Sequence, residues 1–320
     1  MNSPNFFIVG APKCGTSALH RALAQHPDVY LPDSDDPERY WLVKEPNFFC
    51  GDLGIADWLR VKEEVEYLGL FGRAGTAKRI GEASPWYLFS EEAPKRIRSF
   101  AGTEVKIVIL LRSPVEWMRS WHHDLLRYDY EDLVDFEEAL EAEIDREWGR
   151  QMPARGAYPG CLCFRRAARF SEQVKRYVDY FGEEQVFVGL LEDMEEDSGA
   201  LLRQICRFLG VRSDLGLTIP RVNVAPMLPA THAFDSKVGR AMNRLPGGKV
   251  LAKGFSETVG RPYRRIVDRV AGPLSDKSIE PRLEAELKEE FLPEVERLAK
   301  VIGRDLSHWH ELSPEALNVD

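Results

Sequence analysis

The chain has 320 residues, of which 44% are apolar and 30% are charged, and its formal net charge is −9. This composition is ordinary for a globular protein with a substantial core, and the length suits one large α/β domain or two small ones. The negative charge excludes bulk attraction to nucleic acid or to an anionic membrane, so any phosphate site must be built from a local group of residues.

The sequence carries no sign of membrane insertion, secretion or structural metal. No stretch approaches the roughly 20 apolar residues that cross a bilayer, and the N-terminal residues lack the basic and apolar regions of a signal peptide. The cysteines are few, odd in number and without a C-x-x-C pair; they are Cys14, Cys50, Cys161, Cys163 and Cys206. We therefore expect a cytoplasmic protein with buried, unpaired thiols, no integral membrane segment and no metal.

Short apolar runs alternate with helical patterns from the N-terminus onwards. The predicted strands are 6–9, 78–82, 105–111 and 185–190. The predicted helices are 15–24, 116–127, 163–181 and 194–209. This alternation predicts an α/β protein in which crossover helices cover the faces of a parallel sheet.

Four other segments complete the pattern. Residues 27–44 read as a loop, and the acidic stretch 131–147 reads as a helical region with a solvated face. Residues 235–269 are basic, and residues 280–301 predict a helix that is interrupted near Pro293. We expect a single domain, 1–320, with an α/β core at 1–215 and a basic loop and helical C-terminal part at 216–320.

The stretch FFIVGAPKCGTSALHRAL is typical of a phosphate-binding turn. A buried strand leads into Gly10, and a helix starts after Gly15. Such a turn aims several backbone N–H groups at one point, and the helix N-terminus adds its partial positive charge. Lys13 adds a cation, while Thr16 and Ser17 add hydroxyl donors. The loop therefore predicts an anion site.

The position of the lysine argues against an ATPase. Nucleotide-hydrolysing P-loops read G-x-x-x-x-G-K-[ST], but Thr16 occupies the lysine position here and Lys13 lies inside the loop. The lysine that reaches a γ-phosphate is therefore missing, as is the usual magnesium-binding hydroxyl. A P-loop nucleotide kinase or NTPase is the alternative function, and a binding protein that has lost its chemistry is a third.

A second candidate site follows the strand 105–111, in VKIVILLRSPVEWMRS. Ligand-binding residues of open α/β sheets gather at the carboxyl ends of strands. Arg112 leaves the strand at that edge, where Lys13 also lies, and Ser120 follows about two helical turns later. An arginine with a hydroxyl suits a second phosphate group, whereas Arg112 alone would read as a surface arginine.

Together the two stretches resemble the nucleotide-binding motifs of sulfotransferases that use 3′-phosphoadenosine 5′-phosphosulfate (PAPS). GAPKCGTS is similar to the 5′-phosphosulfate loop, which implies PAPS contacts from Lys13, Cys14, Gly15, Thr16 and Ser17. R-S-P-x(5)-S is similar to the 3′-phosphate motif, which implies contacts from Arg112 and Ser120. The resemblance implies the sulfotransferase fold, a P-loop-like central parallel sheet flanked by helices, with a helical C-terminal extension.

The likeness extends to the heparan sulfate branch of that family. KEPNFF at 44–49 is similar to its E-x-x-F-F segment, which implies that Glu45 is the catalytic base. EASPWY at 82–87 is similar to E-K-[ST]-P-x-Y, but Ala83 replaces a lysine that touches the sulfuryl group in that branch. Lys44, beside the base, is a candidate to replace it.

Two late segments also fit the family. They are 186–211, which contains the Glu192–Asp193 pair, and GRDLSHW at 303–309. The basic residues 235–269 are expected to supply the family's loop over the adenine and the 3′-phosphate, although a basic surface that balances the acidic stretch is an equal alternative.

Histidine is the alternative base, because other branches of the family use one and its pKa suits proton abstraction near neutral pH. The candidates are His122 and His123, of which at most one faces the site, since consecutive helical residues point about 100° apart. His20 is expected to be a packing residue. Four aromatic side chains are either core or the lining of an acceptor pocket: Phe48, Phe49, Trp86 and Tyr87.

The implied function is metal-independent, in-line transfer of the sulfuryl group from PAPS to an acceptor hydroxyl or amine, which leaves 3′-phosphoadenosine 5′-phosphate (PAP). Lys13 is expected to offset the charge that develops on the leaving phosphate oxygen. The acceptor is a small molecule, a lipid or a glycan, and no nucleic-acid partner is expected.

Overall fold

The computed structural model describes residues 2–36, 39–128, 130–153, 159–219, 228–229, 273–274 and 279–311. The chain divides into two compact units. The first comprises the described residues of Met1–Trp117, Arg169–Asn223 and Leu292–Trp309. The second comprises those of Met118–Ala168, Val224–Phe291 and His310–Asp320. The basic segment 235–269 lies outside the described residues.

A five-stranded sheet forms the centre of the first unit. Its strands are β1 (Phe6–Gly10), β2 (Val29–Tyr30), β3 (Arg79–Glu82), β4 (Lys106–Leu111) and β5 (Val186–Leu190). Their order is β2-β3-β1-β4-β5, and all neighbouring pairs are parallel. The four predicted strands are thus confirmed, and β2 falls within the segment that reads as a loop. Because β1 lies between β3 and β4, the carboxyl ends of these three strands meet at one edge.

Helices connect the strands and cover the sheet, which explains why β1 and β4 are apolar and buried along almost their whole length. In chain order the helices begin with α1 (Thr16–Leu23), α2 (Tyr40–Lys44), α3 (Glu64–Gly69), α4 (Ala93–Ala101) and α5 (Pro114–Arg127). They continue with α6 (Phe136–Glu141), α7 (Glu143–Glu147), α8 (Phe164–Ala167) and α9 (Phe170–Phe181). The last two are α10 (Leu191–Leu209) and α11 (Pro281–Ile302). A short antiparallel pair, β6 (Leu228–Pro229) and β7 (Pro273–Leu274), belongs to the second unit.

The expected interruption near Pro293 is wrong, because α11 runs through this proline. A proline inside a helix removes one hydrogen bond and costs about 3 kcal/mol. Apolar side chains repeat along α11 at spacings of three and four residues and are buried; they are Leu283, Leu287, Phe291, Val295 and Leu298. Burial of this stripe offsets the cost of the proline.

The prediction of a solvated acidic stretch at 131–147 is also wrong in part. Glu131 and Arg146 are both fully buried and form two parallel N–H···O bonds of 2.6 Å each. The Glu131 carboxylate also accepts hydrogen bonds from the backbone N–H groups of Asp132 and Leu133. The local charge pattern did not reveal this pair because the two side chains meet through the fold of the second unit.

An aromatic cluster fills the first unit beside the sheet. Phe48 stacks on Tyr67 with ring centroids 4.3 Å apart, and Phe49 packs edge-on against Tyr67 and Tyr87. Phe48, Phe49 and Tyr87 are buried, so they are core residues and do not line an accessible pocket. Trp86 is half-buried and packs edge-on against Phe89.

The thiols behave as expected, since all five cysteines are buried and none forms a disulfide. None of the described helices is both long and apolar enough to cross a membrane. No group of three or more potential metal ligands comes together in the described part of the chain.

Candidate active site

The turn between β1 and α1 is held in a conformation that exposes backbone donors. Ala11 N–H donates to Leu110 O at 2.7 Å, and the indole Nε1 of Trp117 donates to Pro12 O at 2.7 Å. Lys13 and Gly15 have positive φ angles of 62° and 86°. Gly15 is the N-cap of α1, and no side chain of the described residues caps this helix. The first N–H groups of α1 are therefore available to an anion.

Cys14 lies at the centre of this turn. Its thiol is fully buried, and burial raises its pKa to about 12 although the charges of Arg112 and Lys13 act in the opposite direction. The thiol is therefore uncharged. Lys13 lies in the turn after β1, and Arg112 follows the neighbouring strand β4. Thr16 is buried, whereas Lys13 and Ser17 are half-buried.

Arg112 follows β4, the neighbour of β1. Its side chain is 21% exposed, and its Nη2 donates to Glu116 at 3.4 Å, which is a long hydrogen bond. Its Nε is buried and has no hydrogen-bond partner among the described residues. An orphaned buried donor on a guanidinium group is a feature that a bound oxyanion would satisfy. Ser120 is half-buried on α5, in the part that belongs to the second unit.

The candidate base Glu45 follows the last residue of α2. Its backbone N–H donates to Trp41 O at 2.7 Å, which fixes its place at the helix end. The Lys44 ammonium is fully buried, forms an ion pair with Glu45 Oε1 and lies 5.6 Å from the centroid of the Trp41 ring. The Glu45 side chain is 21% exposed. The Glu45 side chain is therefore partly accessible to solvent, whereas the Lys44 side chain that pairs with it is not.

The last predicted pair, Glu192 and Asp193, lies at the start of α10, next to β5. Asp193 accepts two hydrogen bonds from Arg304, of 2.6 and 2.8 Å, and one from its own helix start at Leu190 N–H. Burial alone would raise the pKa of Asp193, but the hydrogen bonds from Arg304 lower it. Glu192 accepts from Trp309 Nε1 at 2.7 Å. The two late sequence stretches thus bind each other within the first unit.

A comparison with protein families identifies the family of the chain. A model described as the sulfotransferase domain matches residues 3–221. The chain belongs to the sulfotransferase family. Its sheet and helices are those of the sulfotransferase fold.

Individual relatives agree with this membership. A crystal structure of a sulfotransferase from Alicyclobacillus acidocaldarius is 31% identical, with a TM-score of 0.67 over 97% of this chain and 100% of that chain. The bifunctional heparan sulfate N-deacetylase/N-sulfotransferase 3 of Homo sapiens is 26% identical over 271 residues, which are 81% of this chain and 27% of the relative. The bifunctional heparan sulfate N-deacetylase/N-sulfotransferase 2 of Homo sapiens is also 26% identical, over 262 residues, which are 81% of this chain and 26% of the relative. The chain spans about a quarter of the length of these curated relatives.

The residues at the two strand ends fit a ligand with separate phosphate groups. The uncapped start of α1 and Lys13 provide donors at one place, and the orphaned Nε of Arg112 provides a donor at the neighbouring strand. Such donor sets suit a ligand that carries two separate phosphate groups.

Asn47 holds the candidate base segment in place, a role that the sequence did not reveal. Its Nδ2 donates to Glu45 O at 3.0 Å and to Leu59 O at 3.1 Å, and its backbone N–H donates to Ser84 Oγ at 3.0 Å. Asn47 is buried and has a positive φ of 50°. Asparagine tolerates this left-handed conformation better than most residues, which was the available signal.

We expect Asn47→Gly to lower kcat by about 10- to 100-fold, because misplacing a reacting group by about 1 Å has effects of that size. Glycine keeps the positive φ accessible and removes only the amide. The binding of PAP should stay unchanged, since Asn47 is not part of the turn after β1. Steady-state kinetics and PAP titration measure the two effects, and an equal loss in both would show a general folding defect instead.

Glu82 is a second residue whose importance the sequence did not reveal. It ends β3 and is fully buried, and neither carboxylate oxygen has a hydrogen-bond partner of good geometry among the described residues. Burial raises its pKa to about 8, although the nearby hydroxyls of Tyr87 and Tyr67 act to lower it. Glu82 is therefore a buried neutral acid at neutral pH. Ala83, which follows it, is also fully buried.

The free energy of unfolding is expected to fall as the pH rises from 4.5 to about 8. The pKa of Glu82 is higher in the folded chain, at about 8, than its ordinary value of 4.5, so the folded state holds the proton more tightly. The resulting stabilisation is complete below pH 4.5 and is lost as the pH rises to about 8. Glu82→Gln should remove this part of the pH dependence, which amounts to a few kcal/mol. Urea unfolding at several pH values measures it, with the exposed Glu64→Gln as control; parallel profiles for Glu82→Gln and wild type would contradict the assignment.

The histidines have structural surroundings. His20 Nε2 lies 3.1 Å from Pro32 O, and burial, with Lys44 nearby, lowers its pKa to about 3, so the packing role is confirmed. His122 is buried in the second unit, with Nε2 2.8 Å from Leu133 O and its ring against Phe136 and Phe164. Burial also lowers the pKa of His122. These contacts favour a structural role for His122, whereas His123 is half-buried.

Proposed function

We propose that this sulfotransferase moves the sulfuryl group of PAPS to a hydroxyl or amine group of an acceptor, and that it does so without a metal ion. The observation that carries the proposal is the pairing of two donor sets on adjacent strands: the turn with Lys13 after β1, and Arg112 after β4. The family supplies the chemistry: PAPS carries an activated sulfuryl group on its 5′-phosphate.

The turn would bind the 5′ end of PAPS through the backbone N–H groups of 13–17 and the hydroxyls of Thr16 and Ser17. The ammonium of Lys13 would offset the negative charge that develops on the leaving phosphate oxygen. Arg112, with Ser120, would bind the 3′-phosphate. The basic residues 235–269 are proposed to cover the nucleotide, and the whole chain 1–320 is proposed to act as one domain.

Glu45 is proposed as the base. Its carboxylate is partly exposed, so it can accept the proton of an acceptor hydroxyl or amine directly. Lys44 is fully buried and bound to Glu45, so we assign it to holding this carboxylate in position. This role differs from the direct sulfuryl contact made by the lysine that Ala83 replaces.

The acceptor class is proposed as a small molecule, a lipid or a glycan. The curated relatives carry heparan sulfate N-sulfotransferase in their names, which supports testing amines beside hydroxyls. We also propose a cytoplasmic location, as expected from the sequence.

A transfer assay tests this function. The protein is incubated in EDTA with PAPS labelled in the sulfuryl group and with a panel of phenols, alcohols, amino sugars and lipid headgroup analogues. We expect labelled product and stoichiometric PAP with at least one acceptor, with Glu45→Gln strongly impaired and the exposed Glu64→Gln unimpaired. Lys44→Met should lower kcat while PAP still binds. Label transfer that depends on added magnesium, or wild-type rates in Glu45→Gln, would contradict the mechanism.

A further inference from the structure

Two arginine side chains converge beside Gly51, which follows the segment of the candidate base. Arg60 Nη2 and Arg96 Nη1 each lie 3.2 Å from the point that a Cβ on Gly51 would occupy. The two nitrogen atoms are therefore at most twice that distance apart. A side-chain carbon at position 51 would crowd both nitrogen atoms, so glycine is what allows the two guanidinium groups to lie this close to the chain.

Both guanidinium groups lack a direct ion-pair partner within the part of the chain that the structure describes. No carboxylate there forms an ion pair with Arg60 or Arg96, and Arg60 Nε is a buried donor without a partner. The neighbouring Asp52 carboxylate keeps its charge but accepts hydrogen bonds from other groups, Ser90 Oγ at 2.6 Å and Glu91 N–H at 2.8 Å. Two like charges at this separation repel each other, and an anion between them would relieve the repulsion.

The Arg96 side chain is held against the aromatic residues that precede Gly51. Arg96 Nη1 donates to Phe49 O at 3.1 Å, and its guanidinium carbon lies 5.6 and 5.9 Å from the ring centroids of Phe48 and Phe49. This leaves further N–H donors of Arg96 for another partner, since a guanidinium group has five.

The position of Arg60 links the pair to the candidate base. On one side of it, Leu59 O accepts from Asn47 Nδ2 at 3.1 Å, and on the other, Val61 N–H donates to Pro46 O at 2.8 Å. Asn47 in turn bonds Glu45 O. The segment that carries Arg60 is thus hydrogen-bonded directly to the segment that carries Glu45.

We propose that Arg60 and Arg96 form an anion subsite that binds a carboxylate or sulfate group carried by the acceptor. Planar guanidinium forks suit such oxyanions because they can donate two parallel hydrogen bonds. That the anion belongs to an acceptor rests on the proposed transfer reaction. The anion site itself rests on the positions of Arg60 and Arg96. A free inorganic anion could accept the same hydrogen bonds. The second arm of the experiment distinguishes it from an acid group of the acceptor.

The first arm of the test measures the site alone. Sodium sulfate is titrated at constant ionic strength into the full chain, with Lys13→Ala in all samples to weaken the turn after β1, and the dissociation constant is taken from the shift of Tm. Arg60→Gln and Arg96→Gln should weaken sulfate binding at least about 10-fold, since a hydrogen bond to a charged group contributes about that much. Arg98→Gln is the matched control, an exposed arginine on the same helix as Arg96. Equal dissociation constants in all four proteins would overturn the site.

The second arm identifies the source of the anion. Turnover is compared for two acceptors that differ only in an acid group, such as a hydroxyphenyl acid and its amide. Arg60→Gln should raise KM about 10-fold for the acid and leave KM for the amide unchanged. An equal change for both, or a wild-type protein that does not distinguish them, would overturn the acceptor assignment and leave a free anion as the ligand.

If no acceptor is turned over, the proposed function fails while the first arm still decides the site. Should Arg96→Gln unfold, Arg60→Gln decides alone, because the Arg60 side chain has no hydrogen bond to any of the described residues that the exchange would remove.

Discussion

Lys13→Ala is expected to lower kcat by about 100- to 1,000-fold, the usual effect of removing one donor that stabilises charge in the transition state. Lys13 already has a positive φ, and alanine faces the same backbone restriction, so the exchange adds no strain of its own. The loss should therefore reflect the missing ammonium group, and single-turnover kinetics with saturating PAPS measure it.

A matched control is available in Lys62→Ala. Lys62 is about half exposed and pairs with the exposed Asp57, so its removal should leave kcat unchanged. If Lys13→Ala raised only KM and left kcat intact, Lys13 would contribute to binding alone, and its proposed role at the leaving oxygen would be wrong.

Arg146→Ala is expected to lower the free energy of unfolding by about 3–5 kcal/mol, because it leaves the Glu131 carboxylate buried and without its counter-charge. Both side chains are fully buried, so water cannot replace the lost partner. Equilibrium unfolding in urea, followed by far-UV circular dichroism, measures the change.

The control for this pair lies a few residues away. Arg150 bonds Asp145 at 2.6 Å, but its side chain is 62% exposed. Arg150→Ala should therefore cost less than about 1 kcal/mol. Similar losses in the two variants would mean that solvent reaches the Glu131–Arg146 pair and that it is not a buried ion pair.

The parts of the fold that could be predicted are those set by local pattern. β1, β4 and β5 are short apolar runs, and such runs are typical of parallel strands that are covered on both faces. The spacing of Gly10 and Gly15 indicated the turn, and Arg112 directly after β4 indicated the second donor. Each of these signals lies within a few residues of sequence, which is why they could be read without a structure.

The parts that could not be predicted depend on contacts between distant residues. Asn47 bonds residues 12 and 37 positions away, and Asp193 meets Arg304 across 111 positions. The acidic stretch looked solvated because composition does not tell which glutamate meets an arginine in the core. Arg60 and Arg96 likewise lie on separate elements, and only the fold brings them to Gly51.

Calorimetric titration with PAP in the absence of magnesium, beside ADP and ATP, tests the PAPS site most directly. We expect the wild-type protein to bind PAP without metal and to bind ADP far more weakly, because ADP lacks the 3′-phosphate. Arg112→Ala should weaken PAP binding by about 10- to 100-fold, since hydrogen bonds to charged groups contribute about 1.5–3 kcal/mol, while the exposed Arg98→Ala should bind as wild type. Absence of PAP binding, or magnesium-dependent binding of ATP with equal affinity, would contradict the account and favour a nucleotide kinase.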